Sequence, residues 1–182
     1  MRHKKYSSVG KDLTNEIYAN DTFFTSKRTI STLALHCSAT PVGQEFDAYD
    51  IDEWHLQRWG KNSGCGYHYV ILLDGTIQKG RWVDYSGAHV RGQNRNTIGI
   101  CYIGGVWDDN SPAYDHETPE QRESIIKLVN VLCSGYDLEP IVDLFGHNEY
   151  PNVNKACPCL SMGDLRHECQ LDFEANGMYL TY

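Results

Sequence analysis

No unbroken apolar run in this 182-residue chain is longer than Tyr69–Leu73, far short of the roughly 20 residues that cross a bilayer. Membrane insertion is therefore not expected. The first thirty residues also lack an apolar stretch of signal-peptide length, which implies synthesis in the cytoplasm. Positive charge is scarce: 16 Lys and Arg stand against 24 Asp and Glu, giving a formal charge of −8. Nucleic-acid binding rests on neutralising phosphates, so no nucleic-acid partner is expected. The seven cysteines are odd in number and irregular in spacing. They read as reduced thiols, mostly small core residues, rather than a disulfide framework. Repeats and low-complexity tracts are absent too, and the length fits one domain.

What remains is an ordinary globular composition, 41% apolar and 12% aromatic, with an uneven charge. Residues 1–28 carry six Lys/Arg and three Asp/Glu, net +3, leaving −11 for the rest. Such a basic arm reads as a solvated terminus. From Thr29 the patterns sharpen. Thr29–Ser38 alternates as a strand, with Leu33, Leu35 and Cys37 on one face and Thr32, Ala34, His36 and Ser38 on the other. His36 thus ends a strand on its less apolar face, which favours a functional role over a packing one. Asp50 with Glu53 predicts a helix start, with Ile51, Trp54 and Arg58 at helical spacing and Gly60 as the stop. Tyr67–Leu73, Asp74-Gly75 and Thr76–Lys79 predict a tight hairpin, since both central residues tolerate positive φ. Tyr67 and Tyr69 would share one face and His68 the other.

Trp82–Asn96 is a long polar loop, of the kind that often carries function in a compact domain. Thr97–Ile103 predicts a strand in which Gly99 marks a close backbone approach. Thr118-Pro119-Glu120-Gln121 is a complete helix start, followed by the stripe Ile125, Ile126, Val129, Leu132 and Cys133 and closed by Gly135. Ile141–Phe145 predicts a buried strand, and Ser161 with Asp164 a last helix holding Leu165, Cys169 and Phe173. A tight hairpin demands an antiparallel pair and helix-separated strands permit parallel ones, so the fold class is α/β with a mixed central sheet flanked by helices.

Chemistry collects after that last strand. Gly146–Pro158 holds His147, Lys155 and Cys157 among prolines and asparagines that exclude a helix or a central strand. An imidazole and a thiolate are two zinc ligands, and His36 is a third from another strand end. Two imidazoles and one thiolate suit Zn2+, with a fourth position left to water. Three alternatives stay open on the residues alone. The segment can be an ordinary surface loop with a structural cysteine. Cys157 can be a nucleophile with His147 as its base. Cys159 can close a purely structural zinc site as a fourth ligand.

Seven segments, read together, carry a resemblance: His36-Cys-Ser-Ala-Thr40, Gly66-Tyr-His-Tyr-Val-Ile-Leu-Leu-Asp-Gly-Thr76, Gly87-Ala-His89, Gly92-Gln-Asn94, Thr97-Ile-Gly-Ile-Cys-Tyr-Ile-Gly-Gly105, Gly146-His147 and Lys155-Ala-Cys-Pro158. In this order, over roughly residues 29–175, the chain resembles the zinc-dependent N-acetylmuramoyl-L-alanine amidases of the peptidoglycan recognition protein fold, most of all the small phage lysozymes of amidase type. The resemblance implies a catalytic domain over 29–182, with 1–28 an N-terminal extension of unknown role. It implies one zinc ion on His36, His147 and Cys157, catalytic roles for Tyr67 and Lys155, and substrate contacts from His89 and Asn94. The implied partner is bacterial peptidoglycan, cleaved between N-acetylmuramic acid and L-alanine. The implied setting is a monomer that reaches the wall after release through a separate membrane pore. A non-catalytic peptidoglycan-binding module and an antibacterial toxin are the competing uses of such a fold, and retention of the cysteine ligand favours the enzyme. His68 reads as a packing or ligand-supporting group. One departure stands out: Cys159 sits where family members more often carry a small residue, leaving a Cys-x-Cys pair.

Overall fold

The computed structural model describes residues 8–19, 26–60 and 63–176. Strands β1 (Thr32–Cys37), β3 (Tyr69–Ile71), β4 (Ile77–Lys79), β5 (Thr97–Tyr102) and β7 (Leu144–Gly146) form one sheet in the order β4-β3-β5-β1-β7. The β3–β4 hairpin is antiparallel and the other pairings are parallel. Beyond the ends of β1 and β5, β2 (Thr40–Pro41) and β6 (Gly105–Val106) form a separate parallel pair. Helices are α1 (Thr14–Ala19), α2 (Ala48–Trp59), α3 (Pro119–Tyr136), α4 (Pro140–Asp143) and α5 (Met162–Asn176). The sheet is mixed and covered by helices on both faces, as expected.

Alternation along the strands decides which face meets which helix. Leu33, Leu35, Ile98, Ile100 and Tyr102 point into a core shared with Ile125, Leu128, Val129 and Leu132 of α3 and Leu165 and Cys169 of α5. Each fully buried Leu or Ile there contributes about 1.5–3 kcal/mol. The opposite face carries a smaller cluster, Val70 and Cys101 against Ala48 and Ile51 of α2. His36 has the parity of that second face. The seven cysteines are all free, and six are buried.

Several local expectations need correction. Helix α2 begins three residues early: Asp47, not Asp50, is its cap, accepting from the Tyr49 and Asp50 N–H groups at 2.7 and 3.1 Å. Asp50 is instead the return partner, accepting from the Asp47 N–H at 2.9 Å. The earlier start lets Ala48 be buried. The hairpin loop is Leu73-Asp74-Gly75, in which Gly75 alone has positive φ, at 82°. Leu72 exchanges backbone bonds with Gly75 and Thr76, the pattern of a type I turn followed by a left-handed glycine. Tyr67 and Tyr69 do not share a face: Tyr69 enters the large core, while Tyr67, lying before the regular strand, packs beside the α2 cluster. Helix α3 runs past Gly135 and closes on Asp137, whose left-handed backbone (φ 56°) directs its N–H to the Cys133 carbonyl.

The largest correction falls on Ile141–Phe145. Pro140, at the first turn, and Asp143, accepting from the Glu139 N–H at 2.9 Å, wind residues 140–143 into a short helix. Ile141 and Val142 are left 45% and 59% exposed, and only Leu144–Gly146 joins the sheet, beside β1. The basic N-terminal stretch is also less solvated than its charge suggested. Val9, Leu13 and Ile17, spaced four apart, are buried. Gly10, Lys11 and Leu13 exchange backbone hydrogen bonds with Ile77 and Lys79, covering the β4 edge that would otherwise be open.

Candidate metal centre and active-site cleft

The parallel order places the C-terminal ends of β1 and β7 side by side, with Leu35 opposite Gly146. The residues that follow are His36 and His147, so the two imidazoles meet above the sheet edge with ring centroids 4.4 Å apart. His147 begins a single 3-10 turn whose far end is anchored. Glu149 accepts from the Gly146 N–H at 2.7 Å and forms a two-pronged ion pair with Arg166 of α5 at 2.7 and 2.9 Å. The Asn148 N–H donates to the Cys157 carbonyl at 2.8 Å, tying that turn to the loop that supplies the thiol. Tyr102 donates from its hydroxyl to the Pro158 carbonyl at 2.6 Å and holds the same loop from below.

The ligand atoms of His36, His147 and Cys157 all lie within 4.8 Å of one another. Cys157 Sγ is 3.8 Å from His36 Nδ1 and accepts from the Cys37 N–H at 3.3 Å. Burial, reinforced by His147 and Lys155, holds His36 well below its usual pKa. His147 is lowered as well, first by burial and then by Lys155. Both rings are therefore neutral, the state a metal ligand requires. His36 Nε2 lies 3.0 Å from His89 Nδ1, and His89 Nε2 is 3.3 Å from Thr97 Oγ1, which donates to the Gln93 carbonyl at 3.1 Å. One assignment of protons satisfies every member: His36 donates from Nε2, His89 from its Nε2, and His36 Nδ1 keeps its lone pair toward Cys157. A ligating histidine normally has its second nitrogen held in this way. The donor set, its spacing and its fixed tautomer fit zinc.

Cys159 does not join this group. Its thiol is buried in the large core, 4.0 Å from that of Cys37.

A cleft of about 590 Å³ opens beside this group, lined by Tyr67, His89, Asn94, His147, Lys155 and Cys157 together with Arg58, Trp59 and Arg91. A larger hollow, about 980 Å³ beside α4 and α5, contains none of the predicted residues. In a chain of net charge −8, the described lining of the cleft includes Arg58, Arg91 and Lys155 and no carboxylate. Tyr67 lies 5.1 Å from the His36 ring, centroid to centroid, and burial raises its pKa well above the usual phenol value.

Residues 26–159 match the family model described as N-acetylmuramoyl-L-alanine amidase. The chain belongs to that family. The endolysin of Escherichia phage T7 is 34% identical over 139 residues, spanning 76% of this chain and 87% of its own length. The endolysin of Enterobacteria phage K11 is 30% identical over the same shares. Among solved structures, the endolysin amidase LysCS from Clostridium intestinale URNW superposes with a TM-score of 0.64 at 28% identity, covering 82% of this chain and 91% of that one. Drosophila PGRP-LB, at 21% identity and a TM-score of 0.59 over 79% of this chain, shares the fold.

Within the amidase, every predicted site residue converges on one place, although His89 and Asn94 have duties inside the protein. Asn94 Oδ1 accepts from the N–H groups of His89 and Val90 at 2.8 and 2.9 Å, which commits its carbonyl to shaping the loop. His68 bonds to the backbone: its Nδ1 accepts from the Gly99 N–H at 2.9 Å and its Nε2 contacts the Tyr85 carbonyl at 3.1 Å. Sequence reasoning passed over His55, which lines the cleft and accepts from the Gly66 N–H at 3.0 Å, and also Arg58, Trp59 and Arg28. The first three sit at the end of α2, where only the tertiary fold turns them toward the cleft. For Arg28 the sequence carried no signal.

Proposed function

We propose that this amidase is zinc-dependent and cleaves the amide between the lactyl group of N-acetylmuramic acid and L-alanine in bacterial peptidoglycan. The observation that carries the reading is the grouping of His36, His147 and Cys157, the last two lining a cleft that Tyr67 and Lys155 also line. When bound, zinc supplies Lewis acidity and a more acidic water. The remaining work falls to the chain. His36 and His147, kept neutral mainly by burial, hold the ion with the Cys157 thiol. Lys155, exposed on the cleft wall, places a compact cation where negative charge develops on the scissile carbonyl oxygen. Tyr67, its pKa raised by burial, stays protonated at neutral pH and acts as a hydrogen-bond donor rather than an anionic base. Arg58 and Arg91 suit a stem peptide that bears carboxylates. In the lytic setting that the phage relatives suggest, the chain acts as a monomer on the wall after release through a separate pore.

The test is digestion of purified peptidoglycan with and without a chelator, followed by identification of the new ends. Free L-alanine amino termini over intact glycan, abolished by chelator and restored by Zn2+, are expected. New reducing sugars would replace this reading with a glycosidase. Activity that ignores chelator but is lost on thiol alkylation would replace it with a Cys157 nucleophile. Tyr67→Phe and Lys155→Ala should each retain zinc and lose about 100-fold or more in turnover. A wild-type rate in either would remove that residue from the mechanism.

A further inference from the structure

The guanidinium of Arg28 is taken up by the loop that walls the cleft. Its Nε donates to the Val83 carbonyl at 2.5 Å, and Nη1 to the Asn94 and Arg95 carbonyls at 3.1 and 2.9 Å. Nη2 lies 3.3 Å from both the Thr97 carbonyl and His68 Nε2. His68 cannot accept there. Its Nδ1 already accepts from Gly99, so the proton sits on Nε2 and points to the Tyr85 carbonyl. Nη2 therefore belongs to Thr97, and among the described residues the acceptors of the Arg28 guanidinium are carbonyls. Val83 stands at the start of the loop, and Asn94, Arg95 and Thr97 at its end. One side chain from outside the loop pins both ends.

The intervening residues, 84–93, contribute no strand to the sheet, yet they must present His89 to His36 at 3.0 Å. The route is short. Arg28 holds the Asn94 carbonyl, the Asn94 side chain holds the His89 and Val90 N–H groups, and the His89 ring meets the ligand. We propose that Arg28 is a positioning residue for the amidase reaction, a clamp that sets the 83–97 loop so that His89 orients His36 and the cleft keeps its wall. The proposal rests on the cleft being the amidase site. A planar fork of fixed donors can reach four carbonyls from one side chain, whereas a lysine ammonium offers three donors from a single point.

The test uses the full zinc-loaded chain and two variants, Arg28→Ala and Arg28→Lys. Arg28→Ala should lower kcat/KM on peptidoglycan about tenfold or more, the scale of losing a group that orients a metal ligand. Millimolar guanidinium ion should restore part of that loss, with no gain for wild type or for Lys155→Ala. Should the alanine variant fail to fold, Arg28→Lys carries the test. It should fold, show several-fold lower kcat/KM, and gain nothing from guanidinium because its ammonium fills the space. A second readout is independent of activity: hydrogen exchange at the His89 and Val90 amides should quicken in either variant while that of Leu35 in β1 is unchanged. Wild-type kcat/KM in a folded variant, or unchanged exchange at His89 and Val90, overturns the clamp. If those amides quicken but wild type shows no chelator-sensitive amidase activity, the clamp stands and the functional reading fails.

Discussion

Replacing Gly99 by alanine tests the link between His89 and the metal centre. Gly99 lies in β5, and its φ is outside the left-handed region, so alanine meets no backbone penalty. The obstacle is space. A Cβ built there falls 2.6, 2.7 and 2.8 Å from Cδ2, Cγ and Nε2 of His89. Carbon atoms pack at about 3.5–4.0 Å, so the ring must retreat by about 1 Å. A shift of that size disturbs the 3.0 Å contact of His89 Nδ1 with His36 Nε2. Two costs follow: about 1–3 kcal/mol of overpacking in the metal-free protein, and about 10- to 100-fold in zinc affinity once His36 loses its orienting partner. Competition against a chromophoric chelator measures the second, and denaturant unfolding of the metal-free chain the first. Gly163→Ala is the control. Nothing lies within 4 Å of a Cβ there, and the site is the exposed first turn of α5, so zinc affinity should hold and stability rise by up to about 1 kcal/mol. Zinc affinity of Gly99→Ala within twofold of wild type would refute the reasoning, because His89 would then not be orienting His36.

Two further outcomes test the thiols and the buried histidines. Cys159→Ser should keep its zinc and its turnover while losing about 1–3 kcal/mol of stability, since a hydroxyl replaces a thiol in an apolar core; loss of metal would make Cys159 a ligand after all. His68 is fully buried, and burial pushes its pKa down to about 3. Unfolded, it titrates near 6.5, so below that pH the unfolded state binds the extra proton and stability falls as pH drops toward 3, by about 1.4 kcal/mol per pH unit. Denaturant midpoints between pH 6.5 and 5, above the carboxylate range, should fall in wild type and fall less steeply in His68→Gln, where His36 and His147, also lowered by burial, still contribute; equal slopes in the two would assign the acid sensitivity to those other groups.

Legibility in the sequence followed the range of the interaction involved. The Thr118–Gln121 box read correctly because all its bonds lie within four residues: Gln121 N–H to Thr118 Oγ1 and Thr118 N–H to Gln121 Oε1, both at 3.0 Å. Leu33, Leu35 and Cys37 read correctly because strand parity is local. Ile141 and Val142 did not, since two exposed apolar residues in a proline-started turn have the same composition as a short buried strand. Asp47 lost out to Asp50 for the same reason, both being capping residues ahead of one apolar face. Arg28 was illegible because its acceptors stand between 55 and 69 residues away.

By itself, then, the sequence determined the kinds of element, the core faces of the main strands and helices, and the presence of two histidines, a thiol, a tyrosine and a lysine suited to a zinc hydrolase. Each of those features is written in neighbouring residues. Only the tertiary structure decided that His36 and Cys157, 121 positions apart, stand 3.8 Å from each other, that Cys159 faces the core, and that the His89 ring lies against that of His36. The physical reason is the parallel pairing of β1 with β7 and β5. It sets strand ends level with one another across the sheet, and no local pattern in the chain encodes which strands will be neighbours.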